Sequence, residues 1–148
     1  MADIQIIAGS QLGTAFQLAD DMAEALTSAG HNATVNRMAC AEDLAGNAEQ
    51  ALLYCTSTTG FGELPNNLRT LEGQLHTAPP NVAGRRYGVI ALGDSCYDFF
   101  CGAGNLIDNL MADIGAVRHG DILQIDAQQT LTPETIAVPW AIEWAGTL

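Results

Sequence analysis

The chain has 148 residues, 48% of them hydrophobic, which is enough for one domain with its own core. It carries 17 acids against 5 bases, a formal charge of −12; all five bases are arginine and there is no lysine. That balance excludes the clustered cations that nucleic acids and anionic membranes require, and it excludes lysine chemistry such as a Schiff base or a P-loop. It favours macromolecular partners with basic surfaces.

In chain order, Asp3–Ala8 reads as an isoleucine-rich strand, and the small and polar residues 9–13 as a turn. From Thr14 to Ala29 the apolar positions Ala15, Leu18, Ala19, Met22, Leu26 and Ala29 have helical spacing, with Gly30 as the stop. Asn32–Asn36 is a weak edge strand, and Ala51–Cys55 is an unbroken apolar run of the kind buried on both faces of a sheet. A helix is expected near Asn67–His76, a buried strand at Tyr87–Leu92, and a helix over Leu106–Ile114 stopped by Gly115. Val117–Ile125 offers a fifth strand, and Pro133 behind a capping Thr132 opens a last helix through Trp144. Strands alternating with helices predict an α/β fold with a doubly wound parallel sheet as one domain over residues 1–148.

Neither a secretory signal nor a membrane span is expected: MADIQIIAGS has no basic region, and the run IAVPWAIEWAG is broken by Pro139 and Glu143. Cys40, Cys55, Cys96 and Cys101 form no CxxC pair, so free thiols and a cytoplasmic protein are expected. Cys55 suits the core; Cys96 and Cys101 flank Tyr97, where a redox thiol pair has no nearby cation to support it. His31, His76 and His119 lack metal-ligand spacing, and Trp140 and Trp144 share one helix face that suits packing on the sheet.

Ligands in such a fold sit outside the carboxyl ends of the strands. Three loops lie there. The first, GSQLGTA (residues 9–15), runs into a helix N-terminus. Its amides, Ser10, Thr14 and the tight turn at Gly13 suit a phosphomonoester held without a cation, and equally an ordinary strand-to-helix turn. The second, TSTTGFGELPNN (residues 56–67), has four consecutive hydroxyl residues that suit a polyol and a heterocycle edge, or a plain surface turn. In the third, LGDSCYDFFCGAG (residues 92–104), Tyr97 is placed to stack on a planar ring. Phe99 and Phe100 are expected to begin the next helix and pack in the core.

Phosphate, polyol and flat ring together describe flavin mononucleotide (FMN). On these three motifs and the tail PWAIEWAGTL, the chain resembles the flavodoxin-like proteins over its full length. It is most similar to the MioC-type short flavodoxins and also resembles the FMN domains of sulfite reductase and other diflavin reductases. The resemblance implies a five-stranded parallel sheet in the order 2-1-3-4-5. It assigns Ser10, Gln11, Leu12, Gly13, Thr14 and Ala15 to the phosphate, and Ser57, Thr58, Thr59, Gly60 and Phe61 to the inner side of the flavin. Leu92, Gly93, Asp94, Ser95, Tyr97, Phe99, Phe100 and Cys101 fall on the loop that covers the outer face. Three departures stand out. Leu12 replaces a hydroxyl of the usual phosphate loop, Thr59 stands where relatives place a second aromatic, and the bulky Phe61 follows Gly60.

The function implied is electron transfer through FMN, with Glu63, Asp94 and Asp98 placing negative charge near the flavin. The expected partners are a flavodoxin reductase-type donor and an acceptor enzyme with basic docking surfaces. By the resemblance that acceptor is biotin synthase, and the carrier is a monomer. One alternative is an FMN-dependent NAD(P)H or quinone oxidoreductase, which needs a further substrate pocket. A response-regulator module is the other rival; it wants an aspartate ending the third strand and a lysine after the fifth, and here Cys55–Thr56 and no lysine stand in those places.

Overall fold

The computed structural model describes residues 1–148. Its elements are β1 (Asp3–Gly9), α1 (Thr14–Ser28), β2 (Asn32–Asn36), α2 (Ala41–Ala45), β3 (Ala51–Thr56), a 3₁₀ turn (Asn66–Leu68) leading into α3 (Arg69–Thr77), β4 (Arg86–Gly93), α4 (Gly102–Asp113), β5 (Val117–Arg118), β6 (Leu123–Asp126) and α5 (Glu134–Gly146). Every strand pairing is parallel, in the order β2-β1-β3-β4-β5, with β6 also beside β4. The 2-1-3-4-5 order implied by the resemblance is the order found.

β1, β3 and β4 read as continuous apolar runs because helices cover both faces. Along β3, Leu53 and Cys55 face one layer while Leu52 and Tyr54 face the other. β4 repeats this with Ile90 and Leu92 against Val89 and Ala91. The first layer is closed by Leu18, Met22 and Leu26 of α1 and by Ala137, Ala141 and Trp144 of α5. The second is closed by Leu71 and Leu75 of α3 and by Ile107 and Met111 of α4. Each buried Leu, Ile, Val or Met among them contributes about 1.5–3 kcal/mol. Cys55 is fully buried, which pushes its thiol up to about 12 and keeps it inert. Trp144 packs on the sheet as expected: a Cβ added to Gly88 of β4 would lie 2.8 Å from its ring.

Three local expectations need correction, and one element was not expected at all. The single strand over 117–125 is two short strands, β5 and β6, because the chain bends out at Gly120, which has φ +83°. The helix α2 was not foreseen; its Asp43 accepts the Cys40 amide at 3.0 Å, and it buries only Leu44. Thr132 makes no side-chain cap on α5; its carbonyl accepts the Thr135 amide and hydroxyl instead. Phe99 and Phe100 do not begin α4, which starts at Gly102, and Phe99 is 58% exposed rather than in the core.

Candidate cofactor site

The register brings the three loops to one rim. Gly9 ends β1 opposite Thr56 at the end of β3, and Thr56 lies opposite Ala91, two residues before the end of β4. Hydrogen bonds then tie loop to loop. The Ser57 amide donates to the Gly9 carbonyl at 3.0 Å, and the Thr58 hydroxyl donates to the Leu92 carbonyl at 3.0 Å. The Asn66 amide donates to the Gln11 side-chain oxygen at 2.8 Å.

Between the second and third loops lies a cavity of about 380 Å³, within the range of about 300–1,000 Å³ typical of small-molecule sites. Of the residues foreseen, Thr14, Ser57, Thr58, Gly60, Leu92, Gly93, Asp94, Tyr97, Phe99, Phe100 and Cys101 line it, and so does Asp98, one of the carboxylates expected near the ring. Ser10, Gln11, Leu12, Gly13, Ala15, Thr59, Phe61 and Ser95 stand outside its lining. The first loop flanks the cavity through Thr14. Ala15 is buried in the core, so only its amide can serve a ligand. Leu12 is 96% exposed.

Bonds and turns within the loops set their shapes. In the first, the Ser10 hydroxyl accepts the Gly13 amide at 2.8 Å, and Gly13 takes φ +97° just before α1. In the second, Thr59 and Glu63 exchange backbone bonds of 2.9 and 2.8 Å across a tight hairpin. The left-handed positions of that hairpin fall on Gly60 (φ +49°) and Gly62 (φ +85°), so Phe61 between them carries no positive φ. Phe61 is 79% exposed and meets the Phe99 ring edge-on, with centroids 6.2 Å apart. In the third, Phe99 (φ 62°) and Cys101 (φ 55°) are the only non-glycine residues in the left-handed region. Two strained residues so close together mark a loop that its surroundings hold in one shape.

Three residues that sequence reasoning left out of the site set these shapes. Asn67 accepts the Ser10 amide at 3.0 Å and donates to the Ala8 and Arg37 carbonyls at 2.7 and 2.9 Å. Asp126, at the end of β6, accepts the Ser95 and Gln128 amides at 3.0 and 2.9 Å. Gly102 lets α4 lie directly on the hairpin at Gly62. Asn67 reads in the sequence only as the first residue of a helix, and Asp126 stands where the last strand ends at the ligand rim; the role of Gly102 depends on long-range packing.

Electrostatically, Glu63 is not a free charge, because it pairs with Arg69 at 2.7 Å. Asp94 is engaged by the Cys96 amide and the Gln128 side chain, both at 2.9 Å. Burial raises the Cys101 thiol to about 11, and its Sγ donates to the Ala91 carbonyl at 3.3 Å. With Cys96 exposed and Cys101 a buried neutral thiol, the structure gives no support to a redox pair.

Asp126 sits below the usual carboxylate range, held there by the Ser95 hydroxyl and by the amides of Gln128 and Ser95. A carboxyl lowered in the folded state stabilises above its unfolded value and loses that contribution as pH falls through the folded one. Acid should therefore loosen the third loop below about pH 4, near the ordinary value of 3.8. The Asp126→Asn variant should show a smaller drop in urea midpoint between pH 5 and pH 3 than the parent; equal drops would remove Asp126 as the cause.

The fit to a flavin phosphate rests on donors that nothing in the protein uses. The amides of Gln11 and Leu12, of Thr58, Gly60 and Phe61, and of Asp94 and Asp98 donate to no protein acceptor. The first-turn amides of α1 add to them. Amides and hydroxyls at one end, with a cavity walled by Tyr97, Phe99 and Phe100 beside them, match an anionic phosphate joined to a planar ring.

A parallel sheet with this cradle at its carboxyl rim defines a flavin-carrying α/β protein. The family model described as Flavodoxin matches residues 6–140. "Flavodoxin YqcA" of Pectobacterium carotovorum subsp. carotovorum is 41% identical over 145 residues, 98% of this chain and 96% of that protein. "Protein MioC" of Escherichia coli (strain K12) is 34% identical over 148 residues, 100% of this chain and 99% of its own. A solved structure, the "C101A mutant of Flavodoxin from Pseudomonas aeruginosa", superposes with a TM-score of 0.90 at 39% identity, covering 99% of this chain and 98% of that one. The chain belongs to the flavodoxin family, whose proteins bind FMN and act as electron carriers. No helix is long and apolar enough to cross a membrane.

Proposed function

We propose that this chain carries single electrons between a flavodoxin reductase-type donor and an acceptor enzyme, through one FMN held in the three-loop cradle. The observation that carries this reading is the set of uncommitted amides around the aromatic-walled cavity. Ser10, Gln11, Leu12, Gly13, Thr14 and Ala15 form the phosphate loop, which holds the phosphate through the free amides of Gln11, Leu12, Thr14 and Ala15 and the hydroxyls of Ser10 and Thr14, with Gly13 making the turn. Ser57, Thr58, Thr59, Gly60 and Phe61 run along the inner side of the ring. Leu92, Gly93, Asp94, Ser95, Tyr97, Phe99, Phe100 and Cys101 cover its outer side. When bound, the flavin accepts and releases electrons one at a time; the chain binds it, orients it and limits water and partner access to its edge. The carrier works as a cytoplasmic monomer of one domain, and biotin synthase is the acceptor to examine first.

The test is uptake of FMN by apoprotein, followed by reductive titration. One FMN should bind with its fluorescence quenched, and NAD(P)H alone should not reduce it. Rapid turnover of NAD(P)H without a reductase would replace the carrier by an oxidoreductase. Leu12→Thr sharpens the test, because a hydroxyl added beside the phosphate supplies a charge-assisted hydrogen bond worth about 1.5–3 kcal/mol. FMN should bind this variant about ten- to a hundredfold more tightly. An unchanged affinity would remove the phosphate from the first loop.

Steering follows from the net charge of −12. The rate of reduction by a donor with a basic docking face should fall about tenfold between low and high salt. A flat profile would show that charge does not guide the encounter.

A further inference from the structure

We propose that a second binding site, for a guanidinium group, lies at the end of the sheet opposite the cradle. A cavity of about 290 Å³ opens there beside His119, Asp121, Trp140, Glu143 and Trp144. Its place is fixed by the His119 amide, which donates to the Tyr87 carbonyl at 2.7 Å near the start of β4. The cradle begins six residues further along that strand, at Gly93, or about 20 Å away.

The walls are rigid and aromatic. Trp140 and Trp144 stack nearly parallel, with an interplanar angle of 12° and centroids 6.2 Å apart. His119 meets Trp144 edge-on at 6.1 Å. The Trp144 indole N–H donates to the His119 carbonyl at 2.7 Å, which locks the ring against Gly88 and leaves it 5% exposed. Trp140 is half-buried and lines the cavity.

The rim is negative and unspent. Three ion pairs occur in the molecule, Arg37–Asp20, Arg69–Glu63 and Arg118–Asp108, so neither Asp121 nor Glu143 has a cationic partner. Neither carboxylate enters a hydrogen bond with another side chain. Arg118 is the nearest cation in sequence, and it is engaged by Asp108 at 2.8 Å and by the Gly120 carbonyl at 3.0 Å. An indole that lines one cavity with two free carboxylates attracts a flat cation. A guanidinium suits it better than an ammonium, because it stacks on the ring plane while its N–H fork reaches a carboxylate.

Both tryptophans of the chain lie in this pocket, so intrinsic tryptophan fluorescence reads it directly. FMN-loaded protein is titrated with ethylguanidinium chloride at constant ionic strength, well below unfolding concentrations. A saturable change is expected. Neutral ethylurea should give none, and ethylammonium should bind more weakly. In Asp121→Asn/Glu143→Gln, affinity for ethylguanidinium should fall at least about fivefold. In Glu42→Gln/Glu49→Gln, which removes the same charge at residues outside this cavity, it should stay unchanged. Acetyl-arginine-methylamide carries the same group on a peptide. Tighter binding of this probe assigns the site to an arginine of a polypeptide; tighter binding of ethylguanidinium assigns it to a small free molecule. A linear response, an equal response to ethylurea, or an equal loss in both double variants would overturn the proposal.

Discussion

Asn67→Leu should cost about 2–4 kcal/mol of stability and weaken FMN binding ten- to a hundredfold, although residue 67 does not line the cavity. The side chain is held in one orientation, with its oxygen on the Ser10 amide at 3.0 Å and its nitrogen between the Ala8 and Arg37 carbonyls at 2.7 and 2.9 Å. It thereby joins the end of β1, the residue after β2 and the first amide of the phosphate loop. Leucine has similar bulk and no polar atoms, so three backbone groups lose their partner at once. Each polar group left unpaired in a buried setting costs about 1–3 kcal/mol, reduced here because the Arg37 bond is exposed. Asn67→Asp keeps an acceptor for Ser10 but turns an anion toward two carbonyl oxygens, and should be no better. Urea midpoints and FMN titrations of both variants read the two effects separately. A leucine variant with parental stability and parental affinity would show that the first loop holds its shape by other means.

The strands at the sheet centre were legible because burial on both faces writes an apolar run into the sequence, as in Ala51–Cys55 and Tyr87–Leu92. α1 was legible because its buried positions Ala15, Leu18, Ala19, Met22 and Leu26 keep helical spacing for about three turns. α2 was not, because five residues with one buried side chain carry no period. Its C-terminus depends on Arg85, which is 4% exposed, donates to the Leu44 carbonyl, and also donates to the Gln50 carbonyl at 2.6 Å. Contacts across 41 and 35 residues of sequence leave no local trace.

The site divides in the same way. Which loops meet at the rim follows from strand order, and their glycines and hydroxyls are plain in the sequence. Which side chains turn inward does not follow. Phe61 is 79% exposed and stands outside the cavity, while Tyr97 lines it although 71% exposed. The left-handed turns at Phe99 and Cys101 belong to residue types that avoid them, so propensity pointed to a helix that begins too early. Close approach of β4 to the loop explains the second turn: a Cβ on Gly93 would lie 2.7 Å from the Cys101 amide nitrogen.

The same close-approach argument predicts opposite outcomes for one substitution at two helical glycines. At Gly73, within α3, a Cβ would meet nothing within 4 Å, so Gly73→Ala should stabilise by about 0.5–1 kcal/mol through helix propensity. At Gly102, the first residue of α4, the Cβ would stand 2.7 Å from Gly62 Cα and 3.1 Å from the Gly62 carbonyl oxygen. Those are backbone atoms, and no side chain can swing aside. The hairpin holding Gly60 and Phe61 must move away from α4, and Phe99 moves with it, because a Cβ on Gly62 would already lie 2.8 Å from Phe99 Cβ. Forcing such a contact costs about 1–3 kcal/mol, partly offset by the gain from replacing glycine in a helix. The loss of stability should thus be modest, about 1–2 kcal/mol. The second and third loops face each other across the cavity, so its width changes directly, and FMN affinity should fall more than about tenfold. The ratio of the two effects is the diagnostic quantity. If Gly102→Ala raises the melting temperature as Gly73→Ala does and binds FMN normally, the two loops are not held together by that backbone contact.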